Sequence, residues 1–184
     1  LTVTYTAGSP PPTVSTNPDV SVTEGGSAVH TVTLSGTTTA STPFAATLAG
    51  SGANPATGGG TDFVSDLSSV TYSNGVTHSG GTITVPSGVS SFTVTIPTTG
   101  NALDNADKTY TLTIGGTAGT GTITDDDAPP TYTVSDAVES FSTCTFTVTL
   151  AQASGKTITM DYATANGTKT AGTDYTAASG TLTF

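Results

Sequence analysis

Three consecutive carboxylates, Asp125, Asp126 and Asp127, close the alternating stretch "GTGTITDDDAPP" at 119–130, and Pro129 and Pro130 follow almost at once. In an extended chain Asp125 and Asp127 project to one side and Asp126 to the other. Adjacent carboxylates repel by about 1 kcal/mol per pair at ~4 Å even in bulk water. Such a run is either a solvated acidic linker or a place where a hard divalent cation is held, since a cation of this kind takes about six to eight oxygen ligands. A cation reverses the sign of the repulsion and ties down the strand end. The two prolines then restrict φ in the segment that leads away from it, so the run reads as a metal-locked hinge.

Other chemistry finds little support. There is no G-x-S-x-G elbow and no H-E-x-x-H pair, and His30 and His78 lie in different settings and give no triad. A glycosidase-like carboxylate pair would need a sugar platform, whereas the acids fall at turns and linkers and the chain has no Trp. We read the protein as a non-enzyme. His30 is in phase with Val32 and Leu34, and Cys144 with Phe146, Val148 and Leu150. Both read as core positions, Cys144 as a small buried hydrophobe. His78 reads as surface, and "NGT" at 166–168 as a turn rather than a glycan acceptor. Asp66 is either a further ligand or idle.

The bulk composition bounds the partners. Three Lys, no Arg and 13 acids in 184 residues give a net charge of −10, which repels nucleic-acid backbones and anionic membrane surfaces. No run of apolar residues is long enough to insert in a membrane, and a single cysteine allows no intrachain disulfide. The chain opens mid-pattern with "LTVTYT" and reads as an excerpt of something longer.

The elements that must position the acids are strands. Thr, Ser, Gly and Val dominate, and period-two alternation runs almost throughout. It predicts strands at 20–22, 30–34, 83–85, 92–96, 110–114 and 120–124, separated by Gly- and Asn-containing turns, as in a β-sandwich. Residues 1–6 read as the last strand of a preceding domain or an arm, and "AGSPPPT" as a semi-rigid linker. After "DDDAPP" the pattern restarts. "HTVTLSG" (30–36) returns as "FTVTLAQ" (146–152), "GTDF" (60–63) as "GTDY" (172–175) and "GTITV" (81–85) as "GTLTF" (180–184), in the same order. This is an internal repeat. The offset falls from 116 to 112 to 99, so the first copy carries extra residues, mainly "VSDLSSVTYSNGVTHSGG", which look like an added hairpin. The expected organisation is residues 1–12 as arm and linker, 13–128 as a sandwich, and 129–184 as the first half of a second one. Nothing in the second copy corresponds to 86–127. The missing strands would come from further along the native chain or from another molecule.

"VTEGGSAVHTVTLSG", "GGGTDF", "ALDNADKTYTLTIGG" and "GTITDDD", with the second copy "VESFSTCTFTVTLAQASGKTITMDYATANGTKTAGTDYTAASGTLTF", resemble the Calx-beta domain. The resemblance implies an all-β fold of tandem immunoglobulin-like antiparallel sandwiches, seven strands each, the second incomplete, with Ca²⁺ bound at one end. It places the ligands at Glu24, at Asp62, in the 101–107 loop with Asn101, Asp104 and Asp107, and at Asp125, Asp126 and Asp127. In the second copy it carries over only Glu139 and Asp174. The 101–107 loop has Gly100 and Asn101 where acids are common in the family, so one or two ions are expected rather than four.

The longer first copy is similar to the variant found in giant repetitive bacterial surface adhesins of the RTX type. That implies an extracellular, cell-surface setting, neighbouring domains of the same adhesin as partners, and a calcium-rigidified extender that presents ligand-binding domains away from the cell. A second reading makes the incomplete copy half of a split scaffold that hosts an inserted sugar- or peptide-binding module at the adhesin tip. A third is a carbohydrate-binding or hydrolase-appended module.

Overall fold

A computed structural model describes residues 10–140 and 142–184, and of Glu139 the backbone only. The strand expected at residues 1–6 falls outside the described residues. The described chain is all β, without a helix. It divides into two compact units, one closing at Asp126 and the other running from Asp127 to Phe184 together with Leu103–Asn105.

The first unit is a sandwich of two sheets. One contains β1 (Val14–Thr16), β3 (Ser27–Leu34), β8 (Ser91–Pro97) and β5 (Thr71–Tyr72), in that spatial order. The other contains β2 (Val20–Thr23), β10 (Thr117–Thr124), β9 (Lys108–Ile114), β4 (Thr42–Ser51), β7 (Thr82–Val85) and β6 (Thr77–Ser79). Alternation sends one face of each strand inward. β3 buries Ala28, His30, Val32 and Leu34; β8 buries Phe92, Val94 and Ile96; β9 buries Tyr110, Leu112 and Ile114. These side chains form one core, with Phe63 stacked on Tyr110 at a centroid distance of 4.8 Å.

All six predicted strands are present, each extended by a residue or more. Two further strands carried weak signals. β4 is the longest element in the chain, yet it contains Pro43, two adjacent alanines and Gly50, residues depleted in strands. Its inward set of Phe44, Ala46 and Leu48 does follow period two. β1 has only three residues and pairs with β3.

The count of ten strands exceeds the expected seven for two reasons. Asn17, Pro18 and Asp19 interrupt the first strand, so that β1 joins one sheet and β2 the other. The insert adds the other two, and here the expectation of a hairpin is corrected. β5 pairs with β8 while β6 pairs with β7, so the two inserted strands extend the edges of opposite sheets instead of pairing with each other. The hairpin is β6–β7, turning through Gly80 and Gly81, both at positive φ, as a two-residue turn of matching twist requires. His78 consequently sits half-buried in a strand and not in a loop.

The "GTGT" spacing has a packing explanation. Gly121 on β10 faces Tyr110 on β9 in register, and a Cβ at Gly121 would lie 2.0 Å from the Tyr110 ring. The glycine is the space in which the buried tyrosine lies. Across the core the Tyr110 hydroxyl meets His30 Nε2 at 3.2 Å. His30 is fully buried, as expected. Burial drives its pKa below the ordinary value and keeps it neutral.

The second unit repeats only the local part of this plan. β11 (Tyr132–Val134) pairs with β14 (Val148–Leu150) as β1 pairs with β3. β15 (Thr159–Ala163) pairs with β16 (Ser179–Thr183) as β4 pairs with β7. β12 (Val138–Ser140) pairs with β13 (Thr143–Thr145), whereas its counterpart β2 pairs with β10. Cys144 is exposed, against expectation. Its repeat counterpart Ala28 is buried, and among the described residues no equivalent layer covers Cys144. For the same reason Tyr132, Phe146, Tyr162 and Phe184 are exposed, although the aromatic residues were expected to be core.

Two outcomes are expected for the first unit. Gly121→Ala forces Tyr110 off its seat and should cost about 1–3 kcal/mol of unfolding free energy, whereas Gly36→Ala, where a Cβ meets nothing within 4 Å, should be near neutral; chemical denaturation measures both. His30 has a folded pKa below its unfolded value of about 6.5, so its contribution is complete above that pH and is lost as pH falls. His30→Phe should flatten the decline in melting temperature between about pH 7 and pH 5.

Candidate metal centre

The acidic end of the first unit is assembled by strand register. β2 and β10 run parallel, with Val20 beside Gly121 and Thr23 beside Thr124. The next residues of each strand, Glu24 and Asp125, therefore leave the sheet side by side, and the Glu24 amide donates to the Thr124 carbonyl at 3.0 Å. On the other flank β9 is antiparallel to β10, pairing Lys108 with Ile123. This places Asp107 alongside, where its carboxylate accepts from the Asp125 amide at 3.1 Å. Asn101 donates to Glu24 from its amide nitrogen at 3.3 Å and from its side chain at 2.8 Å.

One carboxylate oxygen from each of Glu24, Asp125 and Asp127 lies within 4.8 Å of the other two, and all three residues are half-buried. Oxygens held on one Ca²⁺ at about 2.3–2.6 Å lie at most ~5 Å apart, so the separation suits a single ion. Asp127 Oδ2 is shielded from solvent and has no hydrogen-bond partner. A buried carboxylate oxygen with no donor is costly, and a cation among these oxygens would satisfy it. The donor set is all oxygen, which suits calcium or magnesium over softer metals. Asp126 is exposed and is not one of the three gathered carboxylates.

Other residues expected as ligands stand in different company. Asp62 accepts from Lys108 Nζ at 2.8 Å and from the Thr57 amide at 2.6 Å. Burial raises its pKa, but the Lys108 and Thr57 contacts outweigh burial and hold the carboxyl below its ordinary value. Asp104 belongs to the second unit, fully buried against Lys156 at 2.5 Å and Ser154 at 3.1 Å, and the Lys156 ammonium holds its carboxyl below the ordinary range. Asp174 accepts from the Thr170 amide at 2.9 Å, with Lys169 at 3.9 Å. The side chain of Glu139 lies outside the described residues. All three lysines of the chain thus lie against an expected metal ligand. Sequence reasoning missed this pairing, although Lys108 stands directly beside Asp107.

The two G-T-D turns share a device. Asp62 and Asp174 each fold back on their own loop, bonding the amides of Thr57 and Thr170 with their side chains and those residues' carbonyls with their amides. Asp66 does similar work, capping the Ser68 amide and hydroxyl at 2.8 Å.

Residues 125–184 match the Calx-beta domain, a span that contains the whole second copy and the acidic run before it. Among solved structures, CBD12 from CALX1.2 is 18% identical over 95% of this chain and 69% of that one, with a TM-score of 0.44. The calcium binding domain CBD12 of CALX1.1 is 20% identical over 91% of this chain and 67% of that one, with a TM-score of 0.40. No curated protein matches the chain.

The Asp62–Lys108 pair has a measurable signature. With its folded pKa below the unfolded value of about 4, Asp62 stabilises the fold above that pH, and the contribution disappears as pH falls through the folded value. Asp62→Asn should lower stability by about 1–3 kcal/mol at pH 7 and remove this part of the acid limb. Equal melting curves for the two proteins from pH 7 to pH 2 would contradict the assignment.

Proposed function

We propose that the chain is a calcium-rigidified structural module of a large secreted bacterial adhesin, holding ligand-binding domains away from the cell surface. One observation carries the calcium reading: the gathered oxygens of Glu24, Asp125 and Asp127, with Asp127 Oδ2 buried and unpartnered. The Calx-beta match over residues 125–184 supports it. Without a cation the three carboxylates repel; with one, they pull the ends of β2 and β10 together.

The mechanical role rests on sequence order. Asp127 is followed within three residues by Pro129 and Pro130. A strand end fixed by an ion and continued by φ-restricted prolines has few conformations. In this reading calcium outside the cell stiffens the connection between repeats, the module has no catalytic role, and its partners are neighbouring domains of the same adhesin. A second reading, half of a split scaffold at the adhesin tip, is favoured by the exposed apolar side chains of the second unit.

Calcium at about 100 times its Kd should stabilise the first unit by about 2.7 kcal/mol, a rise in Tm of roughly 10 °C. Small-angle scattering should show larger and better-defined dimensions with calcium than with chelator. Asp127→Asn should invert with conditions. In chelator it relieves repulsion and leaves Tm equal or higher, and in calcium it removes most of the gain. Calcium-independent melting together with unchanged dimensions would reject the proposal.

A further inference from the structure

The sequence holds Asn-Gly pairs at 74–75 and 166–167, and the fold treats their side chains differently. Asn74 sits at a φ of 56°, and its side-chain nitrogen donates to the Ser91 carbonyl at 2.7 Å. Asn166 is exposed in the loop between β15 and β16. Its side-chain oxygen Oδ1 accepts twice, from the Ala171 amide at 2.8 Å and from the Tyr175 hydroxyl at 2.9 Å. The loop pins both donors: the Gly172 amide bonds the Tyr175 carbonyl, and the Asp174 amide bonds the Thr170 carbonyl. Two donors converging on one carbonyl oxygen stabilise the oxyanion that forms when the carbonyl carbon is attacked. A nucleophile stands next in the chain, because Gly167 has no Cβ to hinder its backbone nitrogen. The repeat supplies a contrast. At the offset of 112 that relates "GTDF" to "GTDY", Asn166, Gly167 and Tyr175 correspond to Asn54, Pro55 and Phe63. Pro55 has no N–H and Phe63 no hydroxyl, so neither that nucleophile nor that hydroxyl donor exists at this place in the first copy.

We propose that Asn166 is a self-modifying site, converted to an aspartyl residue through a cyclic imide. The Gly167 backbone nitrogen gives its proton to water and bonds to Cγ of Asn166, while Oδ1 takes up negative charge against the Ala171 and Tyr175 donors. The Cγ–Nδ2 bond then breaks. Nδ2 takes the proton back from water and leaves as ammonia, and the imide ring is closed. Water adds to one imide carbonyl and reopens the ring, giving aspartate or isoaspartate. The net change exchanges the side-chain amino group for a hydroxyl and consumes only water; nothing is oxidised or reduced. Once ionised, the product adds one negative charge to the present −10. The surroundings favour it, because a carboxylate at this position accepts from the same two donors more strongly than an amide does. The site needs neither calcium nor a partner chain.

The whole chain is incubated near neutral pH, folded and in urea, and sampled by peptide mapping with mass spectrometry and by isoelectric focusing for the added charge. Conversion at Asn166 should run about ten-fold faster in the folded chain than in urea, and faster than at Asn74 of the same folded chain. Tyr175→Phe, which installs the first copy's residue, should slow the folded reaction by about ten-fold. That is less than the ~100-fold or more that one oxyanion donor supplies in an enclosed enzyme site, because the loop is exposed. Gly167→Pro should abolish conversion at Asn166. The comparison with urea needs no variant and stands even where a substitution unsettles the loop. An Asn166 amide that outlasts the same amide in the unfolded chain overturns the proposal and makes the two hydrogen bonds a lock. Conversion that Tyr175→Phe leaves unchanged or quickens, or that survives Gly167→Pro, overturns it as well.

Discussion

β2 and β10 run parallel, and their register determines what the first unit can do. Val20 pairs with Gly121 and Thr23 with Thr124, so the residues after each strand emerge at the same height on the same edge. A shift of two residues would keep both apolar faces inward and would still separate Glu24 from Asp125. Direction matters as much as register. An antiparallel β2 would put its end at the opposite rim of the sheet, far from the acidic run. The split of the first strand at Asn17, Pro18 and Asp19 lets β2 cross to β10 while β1 stays with β3, and Pro18 suits that break because it donates no ladder hydrogen bond.

Much of this was legible in the sequence, because alternation and burial are coupled. His30, Val32 and Leu34, or Tyr110, Leu112 and Ile114, declare a strand and its inward face together. β4 was harder to see because Pro43 and its alanines weaken the propensity signal, although the strand is central and long. The insert was misread for another reason. Two short strands near each other in sequence suggest a hairpin, but β5 and β6 each find a better partner on an existing sheet edge. Composition cannot express that competition. The acids showed the same limit. Sequence named the carboxylates, yet which of them meet each other and which meet a lysine is settled by strand ends that lie far apart in the chain.

That division of the acids has electrostatic content. A carboxylate beside a lysine and a carboxylate among other carboxylates are opposite problems, and only the first is solved by a charge within the fold. Asp62, Asp104 and Asp174 each have an ammonium nearby, at 2.8, 2.5 and 3.9 Å. Asp127 has a buried oxygen with no partner. With three lysines against thirteen acids, the chain cannot neutralise its own carboxylates, so where the lysines stand marks the positions at which an added cation has least to gain. Lys108 is informative here, since it turns toward Asp62 while its neighbour Asp107 bonds the Asp125 amide.

The repeat separates local from long-range causes of structure. β11–β14 and β15–β16 reproduce the pairings of β1–β3 and β4–β7, and the Asp174 turn repeats that of Asp62. These contacts join segments close in sequence and need little beyond their own turns. What does not recur is burial. Phe146 has the pattern position of His30 and is a better core residue by hydropathy, yet His30 is buried and Phe146 is exposed. Side-chain type therefore does not account for the difference, and the remaining variable is the layer supplied by β8, β9 and β10. In the first unit the early and late strands share one core, with Gly121 leaving the room that Tyr110 needs to close it.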